Sequence, residues 1–71
     1  MTVREIIDRL TSPELVEVCI WGIDDSGAIL QDVEDRIPVT YDPDNMPAVG
    51  DYEVLYIDIC YDGEPVLILT V

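Results

Sequence analysis

The sequence predicts an α+β fold, with one short N-terminal helix packed on a four- to five-stranded antiparallel sheet made of two hairpins. Three observations predict it. Apolar residues take helical spacing at the start of the chain, at Val3, Ile6, Ile7 and Leu10. Residues 15–23 and 52–61 alternate and are rich in β-branched side chains, which is the pattern of half-buried strands. Each of these stretches runs into an acidic turn ending in glycine, Asp24-Asp25-Ser26-Gly27 and Asp62-Gly63.

The helix comes first. Thr2 stands at the N-cap position, and Glu5, three residues on, completes a capping box. Arg4 with Asp8 and Glu5 with Arg9 form i,i+4 pairs on the flanks, each worth a few tenths of a kcal/mol. Thr11-Ser12-Pro13 stops the helix, because the residue before proline avoids the helical region. Ser12-Pro13-Glu14 has the form of one further turn with proline at its first position.

The first hairpin is read as residues 15–23 and 28–33 about Gly27, which is placed to take a positive φ. Val16, Val18 and Ile20 point to one side of its first strand, and Glu17, Cys19, Trp21 and Ile23 to the other. Residues 37–41 form a short edge strand, since Pro38 cannot donate in a central ladder. Asp42-Pro43-Asp44-Asn45-Met46-Pro47 is a loop by composition. The second hairpin joins residues 52–61 to residues 65–71. Leu55, Ile57 and Ile59 are expected to lie beneath the helix beside Val16, Val18 and Ile20. Cys19, Trp21, Val54, Tyr56, Asp58 and Cys60 then share the opposite face, which is too apolar for an ordinary solvent face. The last strand is apolar on both sides, so something must cover that face or an edge. A homodimer is the simplest solution, and a heterologous partner is the other.

The composition narrows the chemistry. The 71 residues hold 16 Asp or Glu, three Arg, no Lys and no His, for a formal charge of −13. The chain is read as a single small acidic domain over residues 1–71, with a modest core. It has no apolar run long enough to span a bilayer, and Met1-Thr2-Val3-Arg4-Glu5 lacks the pattern of a secretory signal. Direct binding to nucleic acid or an anionic membrane needs clustered cations and is not expected. Without His or Lys the usual general base, the Ser-His-Asp triad, the Schiff base and the P-loop are all absent. The chain is therefore read as non-enzymatic, cytoplasmic in a bacterial host, and without a cofactor.

Two loops offer oxygen ligands, Asp24-Asp25-Ser26 and Asp42-Pro43-Asp44-Asn45, but neither has EF-hand spacing, so no metal site is assigned. Asp and Asn bonding their own backbone explain both as turns. Cys19 and Cys60 are read as small thiols on one face, able to form a disulfide only if their strands are neighbours.

The acids gather at turns and connections, while the strands hold most of the apolar residues. The bland account is solubility, and a halophilic surface is another. A third is imitation of a nucleic-acid backbone, in which carboxylates enter the basic groove of a nucleic-acid-binding protein, such as a nuclease. The candidate contacts are Asp24, Asp25, Glu34, Asp35, Asp42, Asp44 and Asp62, with Trp21 and Tyr56 as anchors.

The opening Thr2-Val3-Arg4-Glu5-Ile6-Ile7-Asp8-Arg9-Leu10, then Val16-Glu17-Val18 and Asp24-Asp25-Ser26-Gly27, resembles small acidic proteins of phages and conjugative elements. Anti-CRISPR and anti-restriction inhibitors are similar in size, charge and layout. The resemblance covers the first third of the chain. It implies a non-enzymatic inhibitor of a host defence protein and transfers no individual residue. The alternative is a small homodimeric structural or regulatory protein whose acidity serves only solubility.

Overall fold

A computed structural model of the chain describes residues 1–12, 15–32 and 37–71. It contains a short helix α1 (Val3–Asp8), strands β1 (Glu17–Trp21) and β2 (Val39–Thr40), a 3-10 helix (Pro47–Asp51), and strands β3 (Tyr56–Tyr61) and β4 (Pro65–Thr70). The fold is α+β, as the sequence predicts.

The capping box of α1 forms as expected. Thr2 Oγ1 accepts the Glu5 N–H at 3.3 Å, and the Glu5 carboxylate accepts the Thr2 N–H at 3.2 Å. Val3 and Ile6 are buried, with Ile7 and Leu10 packed at the margin of the core. The flanking i,i+4 pairs do not close. Arg4 instead reaches Asp51 at the end of the 3-10 helix, and the Arg9 guanidinium lies 3.8 Å from Met1 Sδ. A local pair worth a few tenths of a kcal/mol is readily displaced by a tertiary partner. The helix is held from below by backbone bonds, Val3 N–H to Tyr52 O at 3.0 Å and Val54 N–H to Met1 O at 2.8 Å. The further turn expected at Ser12-Pro13-Glu14 falls partly outside the described residues.

The sheet departs from the expected one. Its order is β2-β1-β4-β3 and it is mixed: β1 lies antiparallel to β2 but parallel to β4, and β3 is antiparallel to β4. The second hairpin, β3–β4, forms where the sequence places it. The first does not. Beyond Trp21 the chain leaves the sheet at Gly22, whose φ is 116°. A side chain there would meet the Val71 carbonyl oxygen at 2.8 Å. The expected return strand is reduced to a single bridge between Ile23 and Ile29, with Leu30 N–H donating to Gly22 O at 2.8 Å. Val33, at its expected end, lies outside the described residues. Both edges of β1 are then taken by β2 and β4. The expected edge strand at residues 37–41 survives as β2, with Pro38 just ahead of it.

The same kink moves Ile23. Alternation predicts that it shares a face with Trp21, but Ile23 is fully buried beside Ile20. A positive φ at Gly22 breaks the two-residue period and returns the next side chain to the core. That core is Val3, Ile6, Ile20, Ile23, Met46, Val49, Leu67 and Leu69.

Leu55, Ile57 and Ile59 are the second correction. Register puts Ile57 and Ile59 on the core face, opposite Leu69 and Leu67. Yet they are 57% and 61% exposed, and Leu55 is 66% exposed. Because β4 inserts between β1 and β3, Leu67 and Leu69 take the positions beneath the cover. The central place of β4 also accounts for its apolar residues on both faces. No helix among the described residues is long and apolar enough to cross a membrane.

Candidate functional site

Asp24 and Asp42 each organise a turn. Asp24 Oδ1 accepts the Ser26 N–H at 2.8 Å, the Ser26 hydroxyl, and the Ala28 N–H at 3.1 Å. The Ser26 hydroxyl and the Ala28 amide hold the Asp24 carboxyl below its ordinary value, so it stays ionised. Asp42 Oδ1 accepts the Asp44 N–H at 3.1 Å, and its other oxygen accepts from the Asn45 side-chain amide. These are the backbone-bonding turns the composition suggests. Asp25 and Asp44 are exposed at their tips.

Tertiary packing brings the two turns together. Gly27, with φ 90°, is buried, and a β-carbon added to it would lie 3.0 Å from Met46 Cβ and 3.1 Å from Val49 Cγ2. The Tyr52 hydroxyl donates to Gly27 O at 2.9 Å and ties the first turn to the end of the 3-10 helix. Asp24, Asp25, Asp42 and Asp44, far apart in sequence, therefore belong to one buttressed pair of loops. Asp62 stands apart at the β3–β4 tip. Glu34 and Asp35 lie outside the described residues.

Trp21 and Tyr56 are also brought onto one face. Each pairs with Thr70, one from either side, in a row across β1, β4 and β3. Trp21 is 38% exposed and Tyr56 is 71% exposed. The next row is Thr40, Cys19, Ile68 and Asp58, and the third is Glu17, Val66 and Cys60. Cys19 and Cys60 share this face as expected, but β4 separates their strands and both thiols are free. Burial, then the neighbouring Glu17 carboxylate, pushes the Cys19 thiol up. The Trp21–Thr70–Tyr56 row lies at the end of the sheet where the chain departs toward the Asp24 turn. Asp62 lies at the opposite end of β3, about 20 Å along the strand.

Few of the acids are neutralised by cations. Among the described residues the ion pairs are the Met1 ammonium with Glu53 at 3.3 Å and Arg4 with Asp51. The described residues contain no enclosed pocket and no group of three side chains that could hold a metal ion.

Among the described residues β3 has a free edge, which the alternation of residues 52–61 does not by itself reveal. There Ile57, Ile59 and Tyr61 stand exposed. The signal that points to it is the apolar character of β4 on both faces. A strand of that kind is central, which leaves its hairpin partner at an edge.

No family model, curated protein or solved structure matches the chain.

Proposed function

We propose that this protein is a non-enzymatic binding module that presents carboxylates to a basic, nucleic-acid-binding surface of another protein. An inhibitor of a host defence nuclease, of the kind carried by phages and mobile elements, would act in this way. One observation carries the reading: the Asp24–Asp25 and Asp42–Asp44 turns are locked by their own side chains and packed against each other through Gly27 and Met46. A preorganised anionic surface loses little conformational entropy on binding. With a net charge of −13 it also gains long-range steering toward a cationic groove. Trp21 and Tyr56, on one sheet face with Thr70 between them, supply aromatic anchors.

The test is competition with DNA or guide RNA for a basic partner captured from a nuclease-rich lysate. Binding should weaken steeply with added salt. Replacing Asp25 and Asp44 together by Asn should weaken it further while leaving the fold intact, because Asp24 and Asp42 keep the turns. Association indifferent to salt and to both substitutions would remove the reading.

A further inference from the structure

Among the described residues β3 is the outermost strand, and all six of its residues are exposed. An unpaired edge offers its outward N–H and C=O groups to any strand that can align with it. The hairpin tip shows which groups these are. Asp62 N–H donates to Glu64 O at 3.1 Å, continuing the register in which Cys60 faces Val66. Hydrogen-bonded and non-bonded pairs alternate in an antiparallel ladder. The amides of Cys60, Asp58 and Tyr56 therefore turn toward β4, and those of Tyr61, Ile59 and Ile57 turn outward. In keeping with this, Ile59 N–H donates to the side chain of Asp58 at 2.8 Å.

We infer that this edge pairs with the same edge of a second copy of the chain, β3 against β3, about a two-fold axis at Ile59. Two properties of the strand select a second copy as the occupant. The first is charge. Of the 16 acids, Asp58 is the one within residues 54–61. The same segment holds Leu55, Tyr56, Ile57, Ile59 and Tyr61, which are 66%, 71%, 57%, 61% and 80% exposed. A cationic partner is drawn to the acidic turns, not to this strip, whereas a second copy matches apolar surface to apolar surface.

The second property is register. Residues opposite each other across an antiparallel pair share a face. A two-fold pairing that keeps the sheet continuous must therefore be centred on a residue. The two centres that place five residues of each β3 in contact are Asp58 and Ile59. An axis at Asp58 sets two carboxylates directly opposite each other, which is destabilising. An axis at Ile59 sets Ile59 against Ile59 of the second copy, Ile57 against its Tyr61, and Asp58 against its Cys60. The outward amides of Ile57, Ile59 and Tyr61 then find acceptors on the second copy, and the Ile59 N–H leaves Asp58. The result is an isologous interface and a continuous eight-stranded sheet.

Sedimentation velocity from low micromolar to sub-millimolar protein, at low and high salt, tests this together with amide exchange. The expected result is a dimer that tightens severalfold as salt rises, because the two copies carry like charge. Salt thus acts oppositely here and on capture of a basic partner, so either inference can fail alone. Exchange at Ile57, Ile59 and Tyr61 should slow as protein concentration rises, while Tyr56, Asp58 and Cys60 stay protected throughout. Ile59→Lys should weaken the dimer at least tenfold, and Asp58→Ala should tighten it. A chain that stays monomeric at sub-millimolar concentration in high salt overturns the inference. So does a dimer that leaves the three outward amides exchanging freely, a measurement made on the unmodified protein.

Discussion

The Tyr52 hydroxyl donates to the Gly27 carbonyl at 2.9 Å, linking residues 25 positions apart. This bond fastens the Asp24 turn to the cover of the sheet. Tyr52→Phe keeps the ring and loses the bond, and should cost about 1 kcal/mol. In a domain of this size that lowers Tm by roughly 4–8 °C. Thermal melts of the two proteins measure it, and amide exchange should show the loss concentrated around residues 24–28.

Gly22 is the position where the sheet turns into the loop. Its φ of 116° and the Val71 carbonyl, 2.8 Å from where a β-carbon would stand, act together against any side chain. Gly22→Ala should therefore destabilise the fold by about 2 kcal/mol or more, from backbone strain plus displacement of the last strand's end. Urea denaturation with an unchanged m-value would attribute the loss to the folded state.

Leu69 and Ile57 face each other across β4 and β3, yet truncation should treat them differently. Leu69 is fully buried, so Leu69→Ala should cost about 2–5 kcal/mol. Ile57 is 57% exposed in the single chain, so Ile57→Ala should cost within about 0.5 kcal/mol in dilute solution. Chemical denaturation at low micromolar protein compares the two without contribution from association.

The two thiols should react in sequence. Cys60 is exposed, whereas Cys19 is buried and its thiol is pushed up by burial and by Glu17. A neutral maleimide at pH 7 should label Cys60 first, with Cys19 labelled mainly on unfolding or at alkaline pH, since the thiolate is the nucleophile. Mass spectrometry after peptide digestion reads the order.

Acid should release two local supports. Glu5 is held below its ordinary value chiefly by the Thr2 backbone N–H, and Asp24 chiefly by the Ser26 hydroxyl. Each binds a proton less readily folded than unfolded. Their stabilisation is present above the ordinary carboxylate range and is lost as pH falls through the lowered folded values. Carboxyl-carbon NMR titration should show both midpoints below that range, and Asp24→Asn should abolish the second.

Local rules are legible in the chain itself. The capping box at Thr2 and Glu5 depends on residues three apart, and the β3–β4 hairpin on a turn and two alternating flanks. The side of the sheet each β3 residue faces follows from alternation alone. The acidic turns also follow from Asp24 and Asp42 bonding their own neighbours. What required the tertiary structure was who pairs with whom. Parallel pairing of β1 with β4 joins segments nearly 50 residues apart, and no local pattern encodes it. Gly22 reads as an ordinary strand residue until the Val71 carbonyl is found above it. With β4 seated in the centre, the apolar face expected beneath the helix became the exposed edge at Ile57 and Ile59. Periodicity reports which side of a strand is apolar, but only competition among all the strands for the same partners decides which of them is buried.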